Sequence, residues 1–514
     1  MYVTQGLHRA AQQTTDLPAT IFGERVRTWR ESTERVARLA GGLIELGVSS
    51  GDRVGVLSYN SDVYHELLFA VPWADAVIVP VNTRWSAGEI AFSLRDCDTQ
   101  VLLVDDHFVE LLPRLREEVP DLRTVLYAGD SQVDGTLDVE RLIADSQPTE
   151  DVRRNGDQLA GIFYTGGTTG LPKGVMLSHI NLTTNALGVA GSGAFMQPGG
   201  RLLHAAPMFH LADFGAWMAR NLLGGTHVFV PGFTPTGVAQ AIAEHRITDV
   251  LLVPTMIQLL IDSTDAADAD LSSLRNLIYG ASPISEAVLD RAVKRMPAVD
   301  FTQAYGMTEL SPVVSVLAPA DHLRSELRRS AGRAAPHCEV IIVDELDQEV
   351  PRGTVGEIVA RGGNVMAGYW ERPEETASAL RGGWMHTGDG GYMDDEGYLF
   401  IVDRIKDMIV TGGENVYSVE VENALSSHPA VASCAVIGVP DDEWGERVHA
   451  VVVLAGDNRP TAQDLRAHVK ERIAGYKAPR TVEFAGSLPI SGAGKVLKRE
   501  LRAAHWKHSE RGIS

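Results

Sequence analysis

Residues 164–174, "YTGGTTGLPKG", put four glycines, three threonines and one lysine directly behind the apolar run "LAGIFY". Glycine weakens a regular element by about 1 kcal/mol relative to alanine, so bare backbone here needs a reason. Successive N–H groups freed of side chains can converge into an anion nest. Thr165, Thr168 and Thr169 add hydroxyl donors between Gly166, Gly167 and Gly170, and Lys173 adds a compact positive charge. Phosphate oxygens are the natural guest. The stretch is not a Walker A loop, because Lys173 is followed by Gly174 and not by serine or threonine.

Three further stretches carry groups of complementary chemistry. In "QAYGMTE" (303–309), Tyr305 and Gly306 close an apolar segment. Tyr305 offers a flat face to a purine, Thr308 a hydroxyl, and Glu309 a hard carboxylate oxygen suited to Mg²⁺. In "HTGDGGYMD", Asp389 stands between glycines and can accept both hydroxyls of a ribose. "LPISGAGKVLKREL" sets Lys495 on a glycine-flanked loop ahead of a basic helix. Taken singly, these stretches also read as a surface loop, a strand end, a turn aspartate and a solvated terminal loop.

The elements that must hold these loops alternate in type. "TWRESTERVARLAGGLIELG" opens on a capping box, Thr28 to Glu31, and continues with Val36, Leu39, Ala40 and Leu43 at helical spacing. "DRVGVLS", "AVIVPVN", "QVLLVDD", "DVLLVPT" and "NLIYGAS" are short, nearly continuous apolar runs, the pattern of parallel strands buried on both faces. The fold class is therefore α/β, with a large N-terminal multi-sheet domain. Near residue 400 the character changes, and "DRIKD" (403–407) is a linker candidate. "VASCAVIGVP", "ERVHAVVVLAG", a helix from Thr461 bearing Leu465, Val469 and Ile473, and "TVEFAG" suffice for a small C-terminal α+β domain. The boundaries expected are 1–403 and 404–514, joined by a hinge.

A chain of 514 residues needs more than one core. The net charge of −21 argues against general nucleic-acid binding, which depends on lysine and arginine. Cys97, Cys338 and Cys434 show no metal-ligand spacing and no disulfide framework, and read as reduced thiols filling core or surface. The start carries no apolar secretory stretch and no apolar run reaches membrane-spanning length, so the expected location is the cytoplasm. The basic segment "KVLKRELRAAHWKH" allows a weak membrane contact, and a homodimer is left open, since the sequence does not give the oligomeric state.

Together and in order, "YTGGTTGLPKGV", "GASP", "AYGMTE", "HTGD", "DRIKDMIVTGGENV", "GYKAP" and "PISGAGKVLKREL" resemble the adenylate-forming superfamily of acyl-CoA synthetases, peptide-synthetase adenylation domains and firefly luciferase. The resemblance implies that the loop from Thr165 to Lys173 holds the β- and γ-phosphates of ATP. Gly280, Ala281 and Ser282 would border the adenine and Tyr305 would stack on it. Thr308 would meet the α-phosphate, Glu309 would hold Mg²⁺, Asp389 with Arg404 would bind the ribose, and Lys495 would bridge carboxylate and α-phosphate. Lys406 would be the hinge. Gly412 and Gly413 would border a pantetheine channel, with Glu414 and Asn415 near it.

The implied reaction is attack of a carboxylate on the α-phosphorus to give acyl-AMP, then transfer of the acyl group to coenzyme A. His210 resembles the aromatic position beside the acyl carboxylate, with a core histidine as the alternative. Its neighbours Phe209, Phe214 and Trp217 give an apolar wall without a second cation. A medium- or long-chain fatty acid is expected first, an aryl or cinnamic acid second. Two other readings share the ATP motifs: an enzyme that loads a carrier protein, and an ATP-binding regulatory protein without turnover. The presence of Glu309, Asp389 and Lys495 speaks against the last.

Overall fold

The computed structural model describes residues 1–166, 172–282, 284–412, 414–441, 443–456, 459–490 and 496–506, and of Lys406 the backbone alone. Gly167, Thr168, Thr169, Gly170, Gly413 and Lys495 therefore lie outside the described residues. The protein has an α/β fold, and its contacts divide it into two compact units. The larger comprises Met1–Ala281, Arg291–Val340 and Ala360–Met385, and the smaller Ser282–Asp290, Ile341–Val359 and His386–Ser514.

The larger unit is built on two sheets. A nine-stranded sheet runs in spatial order Arg333–Ala334, Val313–Leu317, Asp300–Gly306, Asn276–Gly280, Asp249–Leu251, Arg201–His204, Thr226–Phe229, Pro18–Phe22, Arg25–Thr28. From Asp300–Gly306 to Pro18–Phe22 every neighbouring pair is parallel. An eight-stranded sheet holds the parallel run Val77–Pro80, Arg53–Leu57, Val101–Val104, Thr124–Tyr127 and, on its other side, the antiparallel hairpin Leu159–Thr165/Lys173–Ser178. Val54, Val56, Leu102 and Leu103 are fully buried, as two-faced parallel strands require. The helix Trp29–Glu45 begins on the capping box read from the sequence, with the Thr28 side chain accepting from the Glu31 backbone N–H.

The smaller unit carries most of a four-stranded sheet, Cys338–Val343, Gly356–Gly362, Met385–Met393 and Leu399–Arg404. It also carries a five-stranded one, in which Gly445–Leu454 pairs with Ile409–Thr411, Val431–Asp441 and Thr481–Phe484. Its core gathers Ile409, Val421, Leu425, Val436, Val448, Leu465 and Val469. Leu465 and Val469 come from the helix Ala462–Lys470, which Thr461 caps. All three cysteines are free thiols, and burial pushes Cys338 and Cys434 up to about 12, so they stay protonated and unreactive. No described helix is long and apolar enough to cross a membrane.

Candidate active site

The strands Arg201–His204, Asn276–Gly280 and Asp300–Gly306 run parallel in one sheet. Their carboxyl ends lead into three of the stretches singled out above. His210 follows the first, Ala281 the second, and Thr308 and Glu309 the third. Ligands of open α/β sheets bind beyond such carboxyl ends. Gly280 pairs in register with Ala304, and a Cβ at Gly280 would collide with the Ala304 carbonyl oxygen. A Cβ at Gly306 would likewise strike the carbonyl oxygen of Pro312. Close backbone approach fixes both glycines. Ala281 and Ser311 adopt left-handed backbone, with φ of 66° and 67°, a strain that side chains tolerate where the surroundings impose it.

The turn that carries Glu309 is held from several directions. The Asn185 Nδ2 donates to the carbonyls of Leu310 and Val313 at 3.3 and 2.9 Å. Fully buried Asn364 donates to the Leu310 carbonyl at 2.8 Å and accepts from the Ser311 hydroxyl at 2.8 Å. The backbone N–H of Met366 donates to the Glu309 carbonyl at 2.9 Å. Buried polar groups tied in this way specify one arrangement.

The Glu309 carboxylate is buried and accepts a hydrogen bond of 2.9 Å from the Tyr369 hydroxyl. Burial, reinforced by the Glu309 charge, holds the Tyr369 phenol well above its ordinary pKa, so it remains a neutral donor. The ammonium of Lys173 lies 5.3 Å from the centre of the Tyr369 ring and forms an ion pair with Glu375. Tyr369 pairs with Val175 across the short strand Gly368–Tyr369, which places it beside the Lys173–Ser178 strand. Thr165 and Lys173 face each other at the end of their hairpin. Glu309, Tyr369, Lys173 and Glu375 thus form one continuous cluster. Sequence reading missed Tyr369, because the "AGYWERPEET" stretch around it has no glycine-rich loop, and its charged residues read as a solvated surface.

His210 precedes the helix Leu211–Leu223. The loop before it is pinned by Asn60, which donates to the carbonyls of His204 and Ala206 at 3.1 and 2.9 Å and accepts from the Met208 N–H at 2.8 Å. His204 shares hydrogen bonds of 2.7 Å with Asp213 and 2.9 Å with His227, tying the strand end to the first helical turn across His210. The Phe209 and His210 ring centroids are 4.2 Å apart. Phe214 and Trp217, read above as an acid-binding wall, are core residues instead. They are 2% and 0% exposed, and Trp217 donates to His65 at 2.9 Å. On a helix, one side of the turn meets the loop and the other the core, and the apolar side chains here serve the core.

In the smaller unit, Asp389 and Arg404 stand opposite each other on antiparallel strands and form an ion pair of 2.7 Å. Asp389 is buried and its N–H donates to the Thr387 hydroxyl at 3.1 Å. Lys406 lies in the 3₁₀ turn Ile405–Asp407. Gly412 has φ of 61° and donates to the Trp444 carbonyl at 2.9 Å. Glu414 and Asn415 are exposed on the strand Glu414–Val416. Ile490 and Val496, the described residues on either side of 491–495, bridge each other. Ser282 is half-buried.

The α/β scaffold and its motifs have counterparts among known proteins. Residues 7–370 match the AMP-binding enzyme family and residues 420–495 the AMP-binding enzyme C-terminal domain, and the chain belongs to this family of the adenylate-forming superfamily. By class it is an AMP-forming acid–thiol ligase. It is 42% identical over 499 residues to a feruloyl-CoA synthase of an Amycolatopsis species, covering 96% of this chain and 97% of that one. It is 36% identical over 516 residues to the fatty acid–[acyl-carrier-protein] ligase ScoC of Streptomyces coeruleorubidus, covering 99% and 97%. The crystal structure of the anthranilate CoA ligase AuaEII with anthranoyl-AMP superposes with a TM-score of 0.90 at 27% identity, covering 98% of this chain and 97% of that one.

Proposed function

We propose that the protein couples ATP cleavage to formation of an acyl-adenylate and passes the acyl group to coenzyme A, releasing AMP and pyrophosphate. The observation that carries this reading is the Glu309–Tyr369–Lys173 cluster beside the ends of the parallel strands that bear Gly280, Ala281 and Tyr305. Thr165, Gly166 and Lys173 would meet the β- and γ-phosphates together with Gly167, Thr168, Thr169 and Gly170. Tyr305 and Gly306 would border the adenine with Gly280, Ala281 and Ser282, and Thr308 would contact the α-phosphate. Glu309 fits a hard divalent cation, since it offers a buried carboxylate oxygen, and Mg²⁺ bound there would neutralise phosphate charge. Lys495 would join carboxylate and α-phosphate, and Asp389 with Arg404 would bind the ribose. The division at 403/404, the hinge at Lys406, and a pantetheine passage beside Gly412, Gly413, Glu414 and Asn415 belong to the same proposal.

For the acid, an aryl acid of the hydroxycinnamate type moves ahead of a fatty acid. The 42% identity to a feruloyl-CoA synthase extends over 96% of the chain. The fatty-acid reading keeps its support in the likeness to ScoC, which also supports a carrier-protein acceptor. The test is a panel of cinnamic, benzoic and C6–C16 alkyl acids assayed for CoA-dependent AMP formation. Hydroxycinnamates should give the highest kcat/KM. A several-fold rise per added pair of CH₂ groups would restore the fatty acid. Acid-dependent pyrophosphate release without CoA turnover would favour a carrier protein.

A further inference from the structure

In the five-stranded sheet of the smaller unit, Gly445–Leu454 and Thr481–Phe484 run parallel, with His449 opposite Thr481 and Val451 opposite Glu483. Alternation along a strand puts Thr481 and Glu483 on the same face. The helix Lys498–Trp506 brings His505 to this face, where its ring centroid lies 4.7 Å from that of His449. The ligand atoms of His449, Glu483 and His505 all fall within 4.8 Å of one another. Among the described residues, this is the grouping of three potential ligands that satisfies that distance.

The central member is already prepared for coordination. His449 is 6% exposed, and its Nδ1 is engaged with the Thr481 hydroxyl at 2.7 Å. Its Nε2 is buried without a hydrogen-bond partner and lies 3.6 Å from a Glu483 carboxylate oxygen. Fixing one ring nitrogen through a hydroxyl leaves the other available to a metal, the usual role of an outer partner. Tetrahedral zinc at about 2.0–2.1 Å from each ligand sets ligand atoms roughly 3.3–3.5 Å apart, close to the separation already present between His449 and Glu483. Two imidazoles and one carboxylate suit a first-row divalent metal and leave a position for water.

We propose that His449, Glu483 and His505 form a zinc-type metal site that fastens the helix Lys498–Trp506 to the five-stranded sheet. His505 lies beyond the 420–495 segment that matches the C-terminal family domain, so the family match does not span the triad. The helix follows directly on the Lys495 loop, so metal binding would restrain the chain on which that lysine is carried.

The experiment uses the full-length protein, stripped with a chelator and free of nucleotide. Zn²⁺ binding is measured by calorimetry and Co²⁺ binding by visible absorption, in wild type, His505→Ala and Glu483→Gln. Glu483 is exposed and His505 half-buried, and circular dichroism confirms that each variant folds. His428 and His468, with rings 4.8 Å apart, set the background that all three proteins share. The expected result is one stoichiometric site in wild type, weakened at least tenfold in each variant. A four- or five-coordinate Co²⁺ band and a Zn²⁺-induced rise in Tm should both be lost with His505. Equal stoichiometry and affinity in all three proteins, or a rise in Tm that survives both substitutions, would overturn the site.

Discussion

The residues proposed to meet the nucleotide are held by different means in each unit. In the larger unit, Glu309 sits on a turn at the end of a parallel strand, clamped by amide side chains that donate to carbonyls within that turn. In the smaller unit, Asp389 and Arg404 face each other across an antiparallel pair and hold each other by a side-chain ion pair, with Arg404 39% exposed. Hydrogen bonds from buried amides to buried carbonyls cannot be replaced by water, whereas a half-exposed ion pair is screened and partly exchangeable. The first arrangement couples site geometry to stability. The second leaves Arg404, the more exposed partner of buried Asp389, less coupled to the folding equilibrium.

That contrast can be broken or sharpened by substitution. Lys495→Ala should have the largest effect, lowering the rate of acyl-AMP formation on the order of 10²–10³-fold by removing a charge that offsets repulsion between carboxylate and phosphate. Purified acyl-AMP should still be converted to acyl-CoA, and a single-turnover assay of each half-reaction separates the two. Equal loss in both halves would return Lys495 to a structural role.

Glu309→Gln should slow adenylation about 10²-fold and raise the Mg²⁺ concentration needed for half-maximal rate, because an amide of similar shape lacks the charge that a hard cation requires. Thermal unfolding should change little, since the Tyr369 hydroxyl can donate to the amide oxygen as well. An unaltered Mg²⁺ titration would remove Glu309 from the metal site.

Asn364→Ala reaches the same turn from behind. It leaves the Leu310 carbonyl short of a donor, while the Ser311 hydroxyl keeps the backbone carbonyl of residue 364, and should destabilise the protein by about 2 kcal/mol. Denaturant unfolding reads that loss, and the KM for ATP should rise with it. Arg404→Ala should show the smallest effect. It should raise the KM for ATP a few-fold, with unfolding within about 0.5 kcal/mol of wild type. If Arg404→Ala destabilises as much as Asn364→Ala, the difference between the two regions is lost.

The sequence by itself determined the identity of the groups and the class of scaffold. Glycine spacing, hydroxyls and lysine carry the proposal of a phosphate loop, and β-branched apolar runs marked buried parallel strands, because both signals are local. The capping box at Thr28–Glu31 was legible for the same reason, since donor and acceptor lie within one turn. Tertiary structure alone decided which of those groups meet. Tyr369 reaches Glu309 across 60 residues of chain, and Asn364 reaches the Leu310 carbonyl across 54, contacts that no periodicity encodes. It also decided that Phe214 and Trp217 belong to the core and not to a wall, since an aromatic side chain carries the same pattern whether it lines a cavity or fills one. The meeting of His449, Glu483 and His505 is of this kind too. Strand register and helix packing bring together residues whose spacing in sequence gives no metal signature, because burial and proximity are properties of the folded chain.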